Sequence, residues 1–309
     1  MKKIILLSFI ITTLSCKKNT YQHIKGTAFG TDLNVKLKTN SKRNWEKSID
    51  SLVEIVNNSL STYRKNSIIS KINQGDTTVI VDNQFKEVYA KAKRIYQETN
   101  GVFDPTIGVL VNAWDFGPEK KIKNLDSATI QNLMQEVGFN KISLKNNRLI
   151  KKNPKTYIDF NAIAKGYGID VIGRFIEKNG IQNYMVEIGG EVRAKGKNKS
   201  RKYWRIGIEN PNFDGTQSYN KIISLQDESI ATSGTYRKFK VDKNGNRYAH
   251  ILNTKTGYPS KSDVLSASVI GKMDCADVDG YATTFIALGL DGCKQFLKKH
   301  PELKSFIIY

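Results

Sequence analysis

Residues Cys275 to Leu288 limit most narrowly how this chain can fold. The stretch is apolar on nearly every side, and Gly289 follows it as a stop signal. A helix without a polar face belongs inside a protein, so the rest of the chain must pack around it. The same stretch nevertheless carries Asp277, Asp279 and Thr283. Asp279 and Thr283 stand four residues apart and share one helix face. A carboxylate and a hydroxyl so placed can supply two oxygens to Mg²⁺ or Ca²⁺. Asp277 or Asp279 can equally be an N-cap, and one acid can cap while the other binds metal.

The remaining apolar periodicities surround that helix with both strands and helices. Leu33, Val35 and Leu37 alternate from Thr31, as in a half-buried strand. Trp45, Ile49, Leu52, Val53, Val56 and Leu60 recur at helical spacing, as do Phe85, Val88, Tyr89, Ala92, Ile95 and Tyr96. Ile142 and Leu144 lead through Asn146-Asn147 to Leu149 and Ile150, a hairpin pattern. A helix follows Asp159 and stops at Gly180, and strands are expected at 184–188, 204–208 and 222–225. A last helix begins at Gln295 and a last strand at Ser305. No strict βαβ rhythm and no Pro/Gly-rich linker is present, so the pattern predicts one α+β or mixed α/β domain over residues 26–309.

The first residues bear on location. Lys2 and Lys3 precede an apolar run, Ile4 to Ile11, that is too short to span a bilayer. Ser15-Cys16 follows and resembles a bacterial lipoprotein cleavage site, although Thr13 and Leu14 depart from the usual pattern. The alternative is an ordinary secretory peptide with an incidental cysteine. The expectation is a signal peptide over residues 1–15, a lipid on Cys16 and a tether over 16–25. The domain would then sit outside the cytoplasm in the bacterial cell envelope, held to a membrane by its lipid anchor.

Composition removes several function classes. Lys+Arg is 49 against 29 Asp+Glu, a net charge of +20, and loss of Lys2 and Lys3 takes this to +18. The lysines are scattered, and no arginine-rich helix, zinc-finger spacing or RNP-like strand occurs, so no nucleic-acid partner is expected. His23, His250 and His300 are not at ligand spacing with one another or with Cys275 and Cys293. A zinc or haem site is therefore not expected, and any metal should be a hard cation held by oxygen. Cys275 and Cys293 can pair in an oxidising compartment or stay as buried thiols.

Seven short segments carry the candidate chemistry. Gly26-Thr27-Ala28-Phe29-Gly30-Thr31 precedes a strand and suits close approach of a ligand to backbone. Thr99 to Thr106, with Val102, Phe103 and Asp104, and Trp114 to Gly117 suggest a rigid aromatic loop on which a flat ligand can stack. In Asp159 to Tyr167, Lys165 lies beside Gly166 in an apolar stretch and so needs an anion, either Asp170 or a phosphate. Glu187 to Arg193 contains Gly189-Gly190, which brings a backbone close to something. Thr232, Ser233 and Gly234 offer hydroxyls and N–H groups in a tight turn that suits phosphate oxygens. His250 lies between strand-like residues and a turn, and Asp277 to Thr284 is the seventh segment.

In this order, the segments resemble the ApbE family of FAD:protein FMN transferases, from Gly26 to Gly289. The resemblance implies a single compact α+β domain of the T-fold-like ApbE type, with its site in a cleft. It implies Mg²⁺-dependent transfer of FMN from FAD to a threonine of an acceptor flavoprotein, a subunit of a membrane redox complex, with AMP released. It places FAD against Phe29 (where methionine is usual), Tyr63, Val102, Phe103, Asp104, Asp159 and Lys165. His250 and Ile251 match the active-site histidine segment, with His250 as general base. Asp279 and Thr283 match side-chain metal ligands, and Ala162 a ligand through its carbonyl. Thr232, Ser233 and Gly234 would add donors to phosphate. Two other readings share these residues: a metal-dependent FAD pyrophosphatase giving FMN and AMP, and a non-catalytic FAD-binding lipoprotein.

Overall fold

The computed structural model describes residues 20–122, 125–212, 214, 216, 218–236, 239–241, 245 and 247–309. Cys16 and the segment before it lie outside them. In chain order come β1 (Thr20–Ala28), β2 (Thr31–Thr39), α1 (Trp45–Leu60), α2 (Ile68–Asn73), α3 (Asn83–Glu98), α4 (Gly108–Ala113) and α5 (Ser127–Met134). Next are β3 (Ile142–Lys145), β4 (Arg148–Lys151), α6 (Asn161–Lys178), β5 (Tyr184–Ile188), β6 (Glu191–Lys195), β7 (Trp204–Glu209) and β8 (Tyr219–Leu225). The chain ends with β9 (Ser229–Gly234), β10 (Phe239–Val241), β11 (Arg247–Ala249), β12 (Ser266–Gly271), α7 (Cys275–Lys299) and β13 (Leu303–Ile308).

Seven strands form one antiparallel sheet in the order β1-β2-β5-β6-β9-β12-β13. Alternation in β2 buries Leu33, Val35 and Leu37 against the helices. Asn44 caps α1 by accepting the Lys47 N–H, and Asp82 caps α3 by accepting the Phe85 N–H. Helices α6 and α7 lie on the sheet, with α1 and α3 packed behind them. The all-round apolar character of α7 is thus explained, because it is enclosed by β9, β12, α3 and α6. The β7–β8 hairpin covers the other face, where Trp204 and Leu225 join Met185, Val192, Ile230 and Ile270. The architecture is the expected α+β domain.

Local differences from the sequence reading have physical reasons. Residues 20–25, placed in the tether, belong to β1. This edge strand has little apolar alternation and is held by pairing with β2 from Thr20↔Thr39 to Ala28↔Thr31. Thr232 to Gly234 are not a turn but the end of β9, with backbone paired to β12. Asn146 and Asn147 do form a hairpin turn, both at positive φ. Gly289, at φ 70° and ψ 173°, breaks α7, and the helix resumes at once rather than at Gln295. Cys275 and Cys293 are free buried thiols. Among the described residues no helix is long and apolar enough to cross a membrane.

The α6–α7 junction is fixed by charge. Asp170 of α6, fully buried, accepts the N–H groups of Cys275 (2.8 Å) and Ala276 (2.9 Å). It therefore caps α7 from a neighbouring helix. Burial and the nearby Asp274 charge push its carboxyl up to about 6, against the pull of Arg193 at 2.7 Å. Asp274, at the cap position itself, turns instead to Lys91 (2.9 Å), Arg174 (2.6 Å) and Arg193 (2.8 Å). Its own burial is outweighed by these cations, which hold its carboxyl well below the usual range. An unfolded aspartate titrates near ~3.9, so Asp274 stabilises the fold above that pH and the contribution fades as pH falls below it. We expect Asp274→Asn to lower the melting temperature by several degrees at pH 7. The gap from wild type should narrow toward pH ~3. Melts compared at each pH check this; the variant also relieves Asp170 of the Asp274 charge, so the gap at pH 7 is the net of the two effects.

Candidate active site

One cavity of about 1030 Å³ opens where the β1–β2 turn, the end of α1, the loop after α3, the start of α6, the end of β9 and α7 converge. It gathers every described residue that the sequence reading proposed for the site.

The flavin-type segments are stitched to one another. The Asp159 N–H donates to the Pro105 carbonyl at 2.8 Å, and Ile107 bridges Tyr157. The Asn73 side chain clamps Ile158, donating to its carbonyl at 2.8 Å and accepting its N–H at 2.9 Å. Val102, Phe103 and Asp104 therefore reach the cavity beside Asp159. The Asp104 carboxylate faces inward, accepting from the Thr106 N–H (2.8 Å), the Thr106 hydroxyl (2.6 Å) and the Phe139 N–H (3.0 Å). This carboxylate shapes the loop, and the loop's remaining atoms form the wall. Asp159 accepts the Asn161 N–H at 2.7 Å, fixing the entry to α6.

Phe29 closes one side. It stands at φ 51°, and its ring occupies the space a Cβ on Gly168 would need. Tyr63 stands at the rim, 62% exposed. Opposite, His250 and Ile251 follow β11. The Phe116 ring meets the imidazole edge-on at 6.2 Å. Their loop is tied down by the Thr254 hydroxyl donating to the Gly101 carbonyl (2.6 Å) and by Trp114 Nε1 donating to the Gly257 carbonyl (2.9 Å). Trp114 and Phe116 thus support the histidine.

The floor carries the oxygens. Asp277 is not part of it, because Lys91 (3.0 Å) and Arg94 (2.5 Å) hold it on the other side of α7. Asp279 is buried in the cavity and accepts the Gly166 N–H at 3.0 Å. In a regular helix that N–H would go to the Ala162 carbonyl. The Thr283 hydroxyl meets the Ser233 hydroxyl at 3.1 Å, and Thr232 meets Ser268 at 2.7 Å. Lys165, for which Asp170 or a phosphate was expected, pairs with Glu191 at 2.6 Å. Burial, then the Glu191 charge, raise the Asp279 carboxyl far above the usual range, opposed by Lys165 and the Gly166 N–H. Two buried carboxylates beside one ammonium suit a divalent cation, and the donors of Asp279, Thr283 and Ala162 are the oxygens a hard cation prefers. Glu191 had no assigned role; its signal was its place just after Gly189-Gly190.

Comparison with known proteins agrees with this geometry. The family model described as "ApbE family" matches residues 29–307. The chain belongs to the ApbE family. It is 37% identical over 294 residues to an FAD:protein FMN transferase of Vibrio cholerae, covering 93% of this chain and 87% of that protein. It is 35% identical to the FAD:protein FMN transferase of Haemophilus influenzae, covering 99% and 92%. Among solved structures, the Flavin Transferase ApbE from Vibrio cholerae superposes with a TM-score of 0.84 at 35% identity, covering 94% of each chain. The Pseudomonas stutzeri flavinyl transferase ApbE, apo form, gives 0.83 at 26% identity, covering 95% of this chain and 92% of that one.

In this ApbE-family chain the floor depends on Gly166. A Cβ there would lie 2.5 Å from the Cys275 carbonyl oxygen, a backbone atom that cannot swing aside. We expect Gly166→Ala to force α6 from α7 and cost about 1–3 kcal/mol or more. Thermal melts of the variant and the wild type check this.

Proposed function

We propose that this protein transfers FMN from FAD to a threonine of an acceptor protein, releasing AMP. The observation that carries the reading is the convergence of seven separated segments on one cavity, in a chain 37% identical to an FAD:protein FMN transferase. The wall at Phe29, Val102 and Phe103 gives the flat flavin apolar surface. Lys165 and the Ser233 hydroxyl face the pyrophosphate, whereas the Thr232 hydroxyl, one residue away on the strand, turns to Ser268 on the other face of the sheet. Asp279, Thr283 and the Ala162 carbonyl would hold Mg²⁺, which when bound neutralises charge on the pyrophosphate oxygens. His250 takes the proton of the acceptor threonine hydroxyl. That oxygen bonds to the phosphorus on the FMN side, and the bridging oxygen leaves with AMP.

The N-terminal reading belongs here too. We place the enzyme outside the cytoplasm, anchored through a lipid on Cys16 and acting on a flavoprotein subunit of a membrane redox complex. The support is the Lys2-Lys3 start, the Ile4 to Ile11 run and the Ser15-Cys16 junction. We expect Cys16→Ser to appear in the soluble fraction at high salt while keeping its activity. High salt excludes attachment through the basic charge alone, so sedimentation of the variant with membranes would overturn the anchor.

Mass spectrometry of an acceptor subunit incubated with this protein, FAD and Mg²⁺ tests the chemistry. A gain of one FMN on a threonine is expected; free FMN and AMP with an unmodified acceptor would instead mark a hydrolase. His250→Ala should bind FAD with little change but label the acceptor ~10²–10⁴-fold more slowly. Recovery of the full rate at saturating FAD would show that His250 only binds the cofactor.

A further inference from the structure

The two ends of the seven-stranded sheet differ in chemistry. The β1–β2 turn, the start of β6 and the end of β9 line the cavity at one end. The register puts Thr20, Lys38, Tyr184 and Lys195 at the other. With nine residues in β1, the ends stand roughly 30 Å apart.

The end away from the cavity is basic. The β6–β7 loop, residues 196–203, carries Lys197, Lys199, Arg201 and Lys202, all exposed. Among the described residues none of these four is in an ion pair. Tyr203, 38% exposed, stands with them, and the Lys197 head lies over its ring at 5.6 Å. Asn198 gives the loop its shape: its N–H donates to the Lys202 carbonyl at 2.8 Å, and its side chain donates to the Tyr203 carbonyl at 3.0 Å. Asn183 joins the neighbouring elements, accepting the Lys197 N–H on its side chain (2.8 Å) and the Lys38 N–H on its carbonyl (2.9 Å). Exposed Lys38 and, at the end of α6, exposed Lys178 thereby extend the patch. The nearby acids are Asp227, which accepts the Gly196 N–H at 2.6 Å, and Glu177, which Lys195 and Arg193 engage at 3.1 and 3.2 Å.

The chain enters the domain at this same end. The Tyr21 hydroxyl donates to the Lys197 carbonyl, and its ring meets Trp204 edge-on at 6.2 Å. Cys16 precedes Thr20 by four residues, at most ~14 Å of extended chain. An anchor on Cys16 therefore brings the patch to the bilayer surface.

We propose that this basic end of the sheet binds anionic phospholipid headgroups, so that the anchored domain rests on the membrane with its cavity held roughly 30 Å away. The inference rests on the Cys16 anchor reading above. The patch surrounds the point where the tethered chain enters, which favours lipid over an acidic face of the acceptor.

The test is cosedimentation of the Cys16→Ser chain with vesicles of phosphatidylcholine, alone or mixed with phosphatidylglycerol. Each cation near such a surface contributes ~5-fold in affinity. We expect phosphatidylglycerol to tighten binding at least ~100-fold at low salt, and the gain to vanish at high salt. Lys199→Glu, Arg201→Glu and Lys202→Glu together should abolish the gain. Three exposed lysines outside the patch serve as a control: Lys120→Glu, Lys152→Glu and Lys155→Glu together should keep it within ~3-fold. Each triple change takes the sequence charge from +20 to +14, two units per reversal. Equal losses in the two variants would make net charge the cause and overturn the proposal. So would the absence of any preference for phosphatidylglycerol. A full preference in the patch variant with slower labelling of the acceptor subunit would assign the patch to the acceptor and overturn it too. Should the patch variant fail to fold, trypsin cleavage after Lys199, Arg201 and Lys202 of the unreversed chain reads the same contact. Phosphatidylglycerol should slow that cleavage ~10-fold relative to phosphatidylcholine alone, and equal cleavage overturns the proposal. Release of the wild type from phosphatidylcholine vesicles at high salt would mark failure of the Cys16 anchor, separately from failure of the patch.

Discussion

Contact between the backbones of α6 and α7 governs the rest of the molecule. Gly166 lets α6 approach Cys275 and Ala276 closely enough that any side chain at that position would collide with backbone. At that distance Asp170 can cap α7 and the Gly166 N–H can reach Asp279. Structural and site acids thus hang on one crossing. Separating the helices would uncap α7, strand the Asp170 carboxylate inside the core and move the floor of the cavity.

The three aspartates around the start of α7 show how placement sorts identical groups. Asp274 and Asp277 meet Lys91, Arg94, Arg174 and Arg193 behind the helix, and there they hold elements together. Asp279 lies two residues beyond Asp277 on the opposite side, so it faces the cavity. The charges that act on it are two carboxylates that repel it, Glu191 and Asp170, and one lysine that pairs with Glu191.

Much of this was legible because the signals were local. The helices beginning at Trp45 and Asn83, the Asn146-Asn147 hairpin and the apolar stretch from Cys275 follow from periodicity and turn chemistry. The i, i+4 pair Asp279–Thr283 was readable for the same reason. The resemblance to a family, rather than spacing, singled out Ala162, Tyr63 and His250 as site residues. What could not be read depends on contacts distant in sequence. The Lys165 partner proved to be Glu191, 26 positions away, brought near by the β5–β6 turn. Thr232 to Gly234 have the composition of a turn, but pairing with β12 overrode local preference. Residues 20–25 showed no strand pattern, since an edge strand can be held by its ladder alone.

The cavity itself follows from where a ladder ends. Strands β6 and β9 share only the pairs Val192↔Ile230 and Arg193↔Ser229. Gly189 and Gly190 turn the chain so that β6 starts at Glu191, one residue before that pairing. Past Ile230, β9 remains paired with β12 but has no partner strand on the β6 side among the described residues. A notch therefore opens in the middle of the sheet. Glu191 stands at its lip, Thr232 and Ser233 along its edge, and the Asp279 face of α7 at its base. The two glycines serve fold and site at once: the turn that ends one ladder early also leaves room for the Lys165 head. Side chains at both positions would be strained at positive φ, and one at Gly189 would crowd Thr31 and Lys165 besides.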